Sequence, residues 1–168
     1  MSVYFYEGLV GRYGLEETNG ALTHVWLEGK DKAGSGSKAA AWMPDVLNGE
    51  VLETPLLREA KAQLDAYFDG RLKVFSLPLA PAGTEFQRKI WGLLQDIPYG
   101  TTRTYGEIAA LAGDPKACRA VGMANNRNPL SILIPCHRVI GANGSLVGYG
   151  GGLEIKLWLL QLEGIWLL

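Results

Sequence analysis

The sequence predicts an α/β (α+β) protein of two domains: a small N-terminal β-sheet with a helix over residues 1–83, and a mainly helical C-terminal domain over residues 84–168 containing a helix-turn-helix of winged-helix-like type. Three observations predict it. Short strand-like runs fill the first 27 residues, two of them joined by Asn19-Gly20, a strong hairpin signal because tight turns of that type need positive φ at both central positions. The stretch Leu77-Pro78-Leu79-Ala80-Pro81-Ala82-Gly83 interrupts any regular element and places a boundary near Gly83. Beyond it, Thr84-x-x-Gln87 and Thr104-x-x-Glu107 are capping boxes, each opening a helix.

In chain order, the strands are Val3 to Tyr6, Gly11 to Glu16 and Leu22 to Leu27, and Ala33-Gly34-Ser35-Gly36-Ser37 is a flexible loop. Thr54-Pro55 supplies a cap and a first-position proline for a helix to about Phe68, closed by Gly70 and burying Leu57, Ala60, Leu64 and Phe68. In the second domain one helix runs from Thr84 to about Gln95 and another from Tyr105 to Ala112, ended by Gly113. Asp114-Pro115 then caps a third, to about Asn125. Two short helices joined by a tight glycine-containing turn are the signature of a helix-turn-helix. Asn128-Pro129 turns the chain into Leu130 to Ile134, a buried strand or extended core segment, and a glycine-rich loop, Gly148 to Gly152, precedes a final helix from Leu153 to Glu163.

At 168 residues and 48% hydrophobic, the chain can bury one sizeable core or two small ones without staples. Two cysteines, Cys118 and Cys136, make no disulfide framework, and no leader or long apolar span is evident. These features predict a reducing, cytoplasmic location and no membrane partner. The net charge of −1 hides an asymmetry: residues 1–83 are acidic overall and residues 84–168 basic. Between Arg103 and Arg138 the cations Arg103, Lys116, Arg119, Arg127 and Arg138 face only Glu107 and Asp114. That local excess suits phosphate, and equally suits a solvated surface.

Ile134-Pro135-Cys136-His137-Arg138-Val139 places a soft nucleophile beside a titratable base. A thiol with a pKa of about 8.5 needs a neighbouring cation, base or helix N-terminus to become a thiolate, and His137 and Arg138 offer two of these. The alternative is that Cys136 only fills the core, as buried free cysteines commonly do. Neighbouring side chains on a regular strand point to opposite faces, so activation of Cys136 by His137 requires the strand to break there. Pro135 favours that break, and a bridging water relaxes the geometry.

In the helix-turn-helix the second helix carries Lys116, Arg119, Gly122 and Ala124. Small residues permit close approach to a nucleic-acid groove and, equally, close helix packing. The sequence contains no metal-ligand cluster and no nucleotide fingerprint, so no metal and no cofactor is expected. A thiolate attacks saturated carbon well, and the resulting thioether lacks the carbonyl through which an acyl-enzyme hydrolyses. A cysteine acting on DNA in this way is consumed in one turnover.

These residues resemble the O6-alkylguanine-DNA alkyltransferases, the methylated-DNA–protein-cysteine methyltransferases. The resemblance covers residues 84–168 through Ile97-Pro98-Tyr99-Gly100, Tyr105-Gly106-Glu107-Ile108-Ala109, Arg119-Ala120-Val121-Gly122, Asn128-Pro129, Ile134 to Val139 and Glu163-Gly164. It implies transfer of the alkyl group from O6-alkylguanine in double-stranded DNA to Cys136. His137 would take the thiol proton through a water and Glu163 would orient the imidazole, the logic of a nucleophile, base and orienter. Tyr105 would assist rotation of the nucleotide and protonate guanine N3. Arg119 would fill the stack after base flipping, on a helix that also brings Lys116, Gly122 and Ala124 to the DNA.

Asn128 resembles the family's hinge asparagine. The carbonyls of Cys136 and Val139 would accept from guanine's exocyclic amine, and Tyr149 and Gly150 would close over the base, where the family often has serine in place of Gly150. Some relatives carry an N-terminal zinc, but that region here has only His24 and no cysteine. The implied state is a monomer. The other reading of the resemblance is a lesion-flagging protein that binds alkylated bases without transferring the group. Such proteins lack the acceptor cysteine, and Cys136 opposes that reading.

Overall fold

A computed structural model describes residues 1–27, 50–146 and 152–166. The chain divides into two compact units, Met1–Pro81 and Ala82–Leu168.

In the first unit, β1 (Ser2–Gly8), β2 (Gly11–Thr18), β3 (Ala21–Leu27) and β4 (Glu50–Val51) form one sheet in the order β3-β2-β1-β4. The β1–β2 and β2–β3 pairs are antiparallel and β1–β4 is parallel. Asn19 (φ 53°) and Gly20 (φ 78°) make the β2–β3 turn, as the Asn-Gly pair requires. Tyr13, Gly14, Leu15 and Glu16 are buried in succession, so both faces of the central strand β2 are covered. Helix α1 (Pro55–Phe68) packs on β1 and β2, with Thr54 capping Leu57 N–H and Pro55 in its first turn. Leu57, Ala60, Leu64, Tyr67 and Phe68 are its buried face. The Ala33–Ser37 loop lies outside the described residues.

The second unit is built on α2 (Glu85–Gln95), α3 (Tyr105–Leu111) and α4 (Cys118–Asn126), mutually packed, with α5 (Leu153–Leu162) behind them. A reciprocal capping box closes the start of α2: the Thr84 side chain accepts from Gln87 N–H and the Gln87 side chain accepts from Thr84 N–H, each at 3.0 Å. Trp91, 1% exposed, donates from Nε1 to the Ala124 carbonyl at 2.8 Å and ties α2 to α4. A side chain at Gly83 would collide with that indole at 2.6 Å, so the residue that marks the boundary in sequence is also fixed by packing.

Two expectations need correction. At Thr104 only half of the expected box forms: the hydroxyl accepts from Glu107 N–H at 3.1 Å, while the Glu107 carboxylate lies 3.9 Å from Arg103. The second helix of the pair begins at Cys118 rather than Pro115. Asp114 accepts from Lys116 N–H through Oδ1 and from Ala117 N–H through its carbonyl, which closes a turn in place of a helical start, so Lys116 sits on the turn between α3 and α4. Two strands absent from the sequence reading, β5 (Arg103–Thr104) and β6 (Val139–Ile140), pair in parallel.

The Thr84 cap stabilises the unit that bears the site. Thr84→Ala should lower the unfolding free energy by about 1 kcal/mol, seen as a reduced urea midpoint with an unchanged m-value.

Candidate active site

The run Leu130–Ile134 is not a strand. Asn128 accepts from Leu130 N–H at 2.9 Å and donates through Nδ2 to the Ile134 carbonyl at 2.8 Å. Ile134 N–H closes back onto the Leu130 carbonyl at 2.9 Å. Ile132 takes φ 75°, a conformation that costs a β-branched residue energy and persists only where its surroundings enforce it. Side-chain hydrogen bonds from Asn128, on the short link after α4, therefore shape the path that delivers Pro135.

After Pro135 the chain makes a single 3-10 turn, Cys136–Arg138, and then enters β6. The strand alternation that would separate Cys136 from His137 is thus broken where activation requires. Cys136 is 2% exposed and His137 0%. Neither cysteine is in a disulfide.

His137 Nε2 lies 2.6 Å from Glu163 Oε2. Glu163 follows the last residue of α5, and its oxygens also accept from Arg138 Nε at 2.8 Å, Arg138 Nη2 at 3.1 Å and Gly100 N–H at 3.0 Å. Burial pushes the Glu163 carboxyl up, but the His137 hydrogen bond and charge, the Arg138 hydrogen bond and the Gly100 amide outweigh it and hold the pKa at about 2. The group is a carboxylate at neutral pH. An ionised carboxylate only accepts, so Nε2 carries the hydrogen and the lone pair of the neutral ring is on Nδ1. Burial lowers the His137 pKa; Glu163 opposes this, and the charges of Arg138 and Lys156 reinforce it.

Two further titratable groups interact with Cys136. Tyr105, half-buried at the start of α3, is pushed up to about 12 by burial and by the charge of Cys136, so it is a phenol with a proton to give. Lys156, wholly buried on α5, donates from Nζ to the Val139 carbonyl at 2.5 Å and sits 5.9 Å from the Tyr105 ring centroid. Burial lowers its pKa to about 8, against the charge of Cys136.

The two carbonyls expected to receive guanine's amine differ. That of Cys136 already accepts from Val139 N–H and, at 3.4 Å, from Asn125 Nδ2, which occupies both lone pairs. That of Val139 accepts from Lys156 Nζ.

Arg119 and Lys116 are exposed, and Gly122 is partly so. A Cβ at Gly122 would meet the Tyr105 ring at 3.9 Å, an ordinary contact, so packing does not demand glycine there. Ala124 is the exception among the expected DNA-facing residues: it is 2% exposed and its carbonyl receives the Trp91 indole, which makes it part of the α2–α4 core. Tyr149 and Gly150 lie outside the described residues.

The DNA-binding domain of 6-O-methylguanine DNA methyltransferase matches residues 85–165, and the ribonuclease-like domain of the same family matches residues 29–81. The chain is 66% identical over 107 residues to the methylated-DNA–protein-cysteine methyltransferase of Methanosarcina acetivorans, covering 64% of this chain and 69% of that protein. It is 57% identical to the constitutive enzyme of Bacillus subtilis over 125 residues, covering 74% of this chain and 76% of the relative. The chain belongs to the methylated-DNA–protein-cysteine methyltransferase family. The structure resembles that of Mycobacterium tuberculosis OGT in complex with DNA, with a TM-score of 0.81 and 39% identity over 97% of this chain and 92% of that one. An O6-methylguanine DNA methyltransferase from Methanococcus jannaschii gives 0.66 at 27% identity, over 98% and 95% of the two chains.

The sequence reading gave no role to Lys156, Asn125 or Gly100, and offered Arg138 as a cation beside Cys136 or toward phosphate, not as a partner of Glu163. A signal for the first existed: Lys156, Leu159, Leu160 and Glu163 are all buried at the i, i+3, i+4, i+7 spacing of a core stripe, and two charges on such a stripe mark a buried polar site.

The Glu163 pKa gives a signed prediction. Because the folded value of about 2 lies below the ordinary 4.5, its contribution to stability is complete above about pH 5 and is lost as pH falls toward 2. Urea midpoints of the wild type should therefore fall more steeply over that window than those of Glu163→Gln.

Proposed function

We propose that this protein repairs O6-alkylguanine in double-stranded DNA by moving the alkyl group irreversibly to Cys136, once per molecule, as a cytoplasmic monomer that needs no cofactor. The observation that carries the reading is the buried Cys136–His137 turn whose imidazole is held by an ionised Glu163, in the same unit as a helix-turn-helix with an exposed Arg119. Family membership supports it. So does the DNA bound by the M. tuberculosis relative.

In this reading the basic face of α4 and its preceding turn meets the phosphates, and Arg119 takes the place of the flipped nucleotide. The Val139 carbonyl accepts from the exocyclic amine. The Cys136 proton passes through a water to Nδ1 of His137, and the thiolate sulfur attacks the alkyl carbon as the carbon–O6 bond breaks. The electron pair of that bond stays on the base, which takes a proton at N3 from Tyr105. The product thioether has no route back.

Incubation with a duplex containing O6-methylguanine should add the mass of one methyl group per protein, mapped to Cys136. Cys136→Ser should bind the lesion and gain nothing. Binding of the lesion by the wild type without an adduct would instead indicate a flagging protein. Arg119→Ala should weaken duplex repair about tenfold or more while reactivity toward free O6-benzylguanine is retained. Equal loss on both substrates would remove Arg119 from the flipping step.

A further inference from the structure

We propose that Arg138 is a positioning residue for alkyl transfer: by gripping both oxygens of Glu163 it keeps the neighbouring His137 imidazole uncharged until the Cys136 proton arrives. The inference rests on the transfer reading above. It starts from a difficulty in the Cys136–His137–Glu163 arrangement. A carboxylate 2.6 Å from an imidazole in a dry interior favours imidazolium, as any opposite charge at that range does. An imidazole that is already protonated cannot receive the thiol proton, so a Glu–His pair left to itself disables its own base.

Arg138 removes the difficulty. Its guanidinium makes a two-pronged contact, Nε to Oε1 at 2.8 Å and Nη2 to Oε2 at 3.1 Å, the geometry in which arginine binds carboxylate best. Nη1 is fixed to the Ile97 carbonyl at 2.7 Å, and the group lies 5.7 Å from the Tyr99 ring centroid. The cation is permanent and held from two sides. Glu163 therefore already has its counter-charge, and a proton on His137 would be a surplus charge where neither the His137 nor the Glu163 side chain is exposed at all.

The charges around His137 agree with this account. Its own turn presents Arg138 and Cys136, and α5 presents Glu163 and Lys156. Tyr105, on α3, interacts with Cys136 and is not among the groups that act on His137. Helix α2, also packed on the turn, buries Ile90, Trp91 and Leu94 and no titratable side chain. Of these groups only Glu163 draws a proton onto the ring at rest, and Arg138 offsets it. When Cys136 ionises, its negative charge appears beside the ring and the imidazolium becomes balanced. Proton transfer is thereby tied to formation of the thiolate.

The test is nitrogen NMR of the imidazoles in the full chain, whose two histidines are told apart with His24→Asn. Wild-type His137 should be neutral at pH 7 with its hydrogen on Nε2. Arg138→Met should convert it to imidazolium at that pH, Arg138→Met with Glu163→Gln should return it to neutral, and Arg138→Lys should keep it neutral. In step with this, the acid limb of the rate against free O6-benzylguanine should move to higher pH in Arg138→Met. The loss should be about tenfold or more at pH 7, within what a general base contributes, and should close as pH rises. A purely structural role predicts a deficit constant with pH.

Imidazolium in the wild type at pH 7, or a neutral ring in Arg138→Met, would overturn the proposal. If Arg138→Met does not fold, the wild-type spectrum and the Arg138→Lys profile still decide it. The mass of the wild-type protein after reaction with O6-methylguanine DNA tests the transfer reading separately. A neutral His137 in a protein that gains no methyl would sink that reading and leave the protonation account standing.

Discussion

The second unit is organised around one buried carboxylate. Glu163, at the end of α5, gathers donors from the loop after α2 and from the turn that carries Cys136, so three segments far apart in sequence meet at two oxygen atoms. The loop is shaped for this. Gly100 adopts φ 77°, and the Tyr99 hydroxyl donates to the Leu162 carbonyl at 3.3 Å. Removing an ion pair from water costs several kcal/mol per ion, and such pairs seldom stabilise a fold beyond what apolar packing would. The cluster is therefore better explained by the exact placement and charge it imposes on His137 than by stability.

Burial then divides the labour among the neighbouring groups. The same desolvation leaves Tyr105 protonated and brings Lys156 down to about 8, and together with the Arg138 and Lys156 charges it lowers the His137 pKa against the pull of Glu163. Helix α4 connects that interior to the outside. Val121, Ala124 and Asn125 face inward and Arg119, Met123 and Asn126 face solvent. Asn125 reaches the Cys136 carbonyl and Asn128 the Ile134 carbonyl, so α4 and the link after it are bonded directly to the segment that carries the nucleophile.

What the sequence made legible was local. The Asn19-Gly20 turn, the Thr54-Pro55 start and the Thr84–Gln87 box are chemical statements about a few adjacent residues, and each appears where its residues are. The misplacements have tertiary or competing causes. Asp114 had two ways to satisfy nearby amides and took the turn. The apolar run Leu130–Ile134 has the composition of a strand, but Asn128 offers both a donor and an acceptor to it and bends it. Strands of two residues, such as β5 and β6, are too short for periodicity to register. At the site, the adjacent Cys136 and His137 were legible as a nucleophile beside a base, whereas Glu163 was reached through a family resemblance. Arg138 and Lys156 depend on partners 25 and 17 residues away, which no local pattern encodes.

The proton inventory limits how transfer can proceed. In the proposed reaction the step removes a proton from Cys136 and delivers one to the guanine ring, through His137 and Tyr105 respectively. Taken separately, these events leave an imidazolium beside Arg138 and a phenolate in a site that already disfavours it, since burial raises the Tyr105 pKa. Neither intermediate is stable here without the other. The two transfers must therefore be nearly simultaneous with carbon–sulfur bond formation, and the tyrosine must regain its proton as the imidazolium gives its own up.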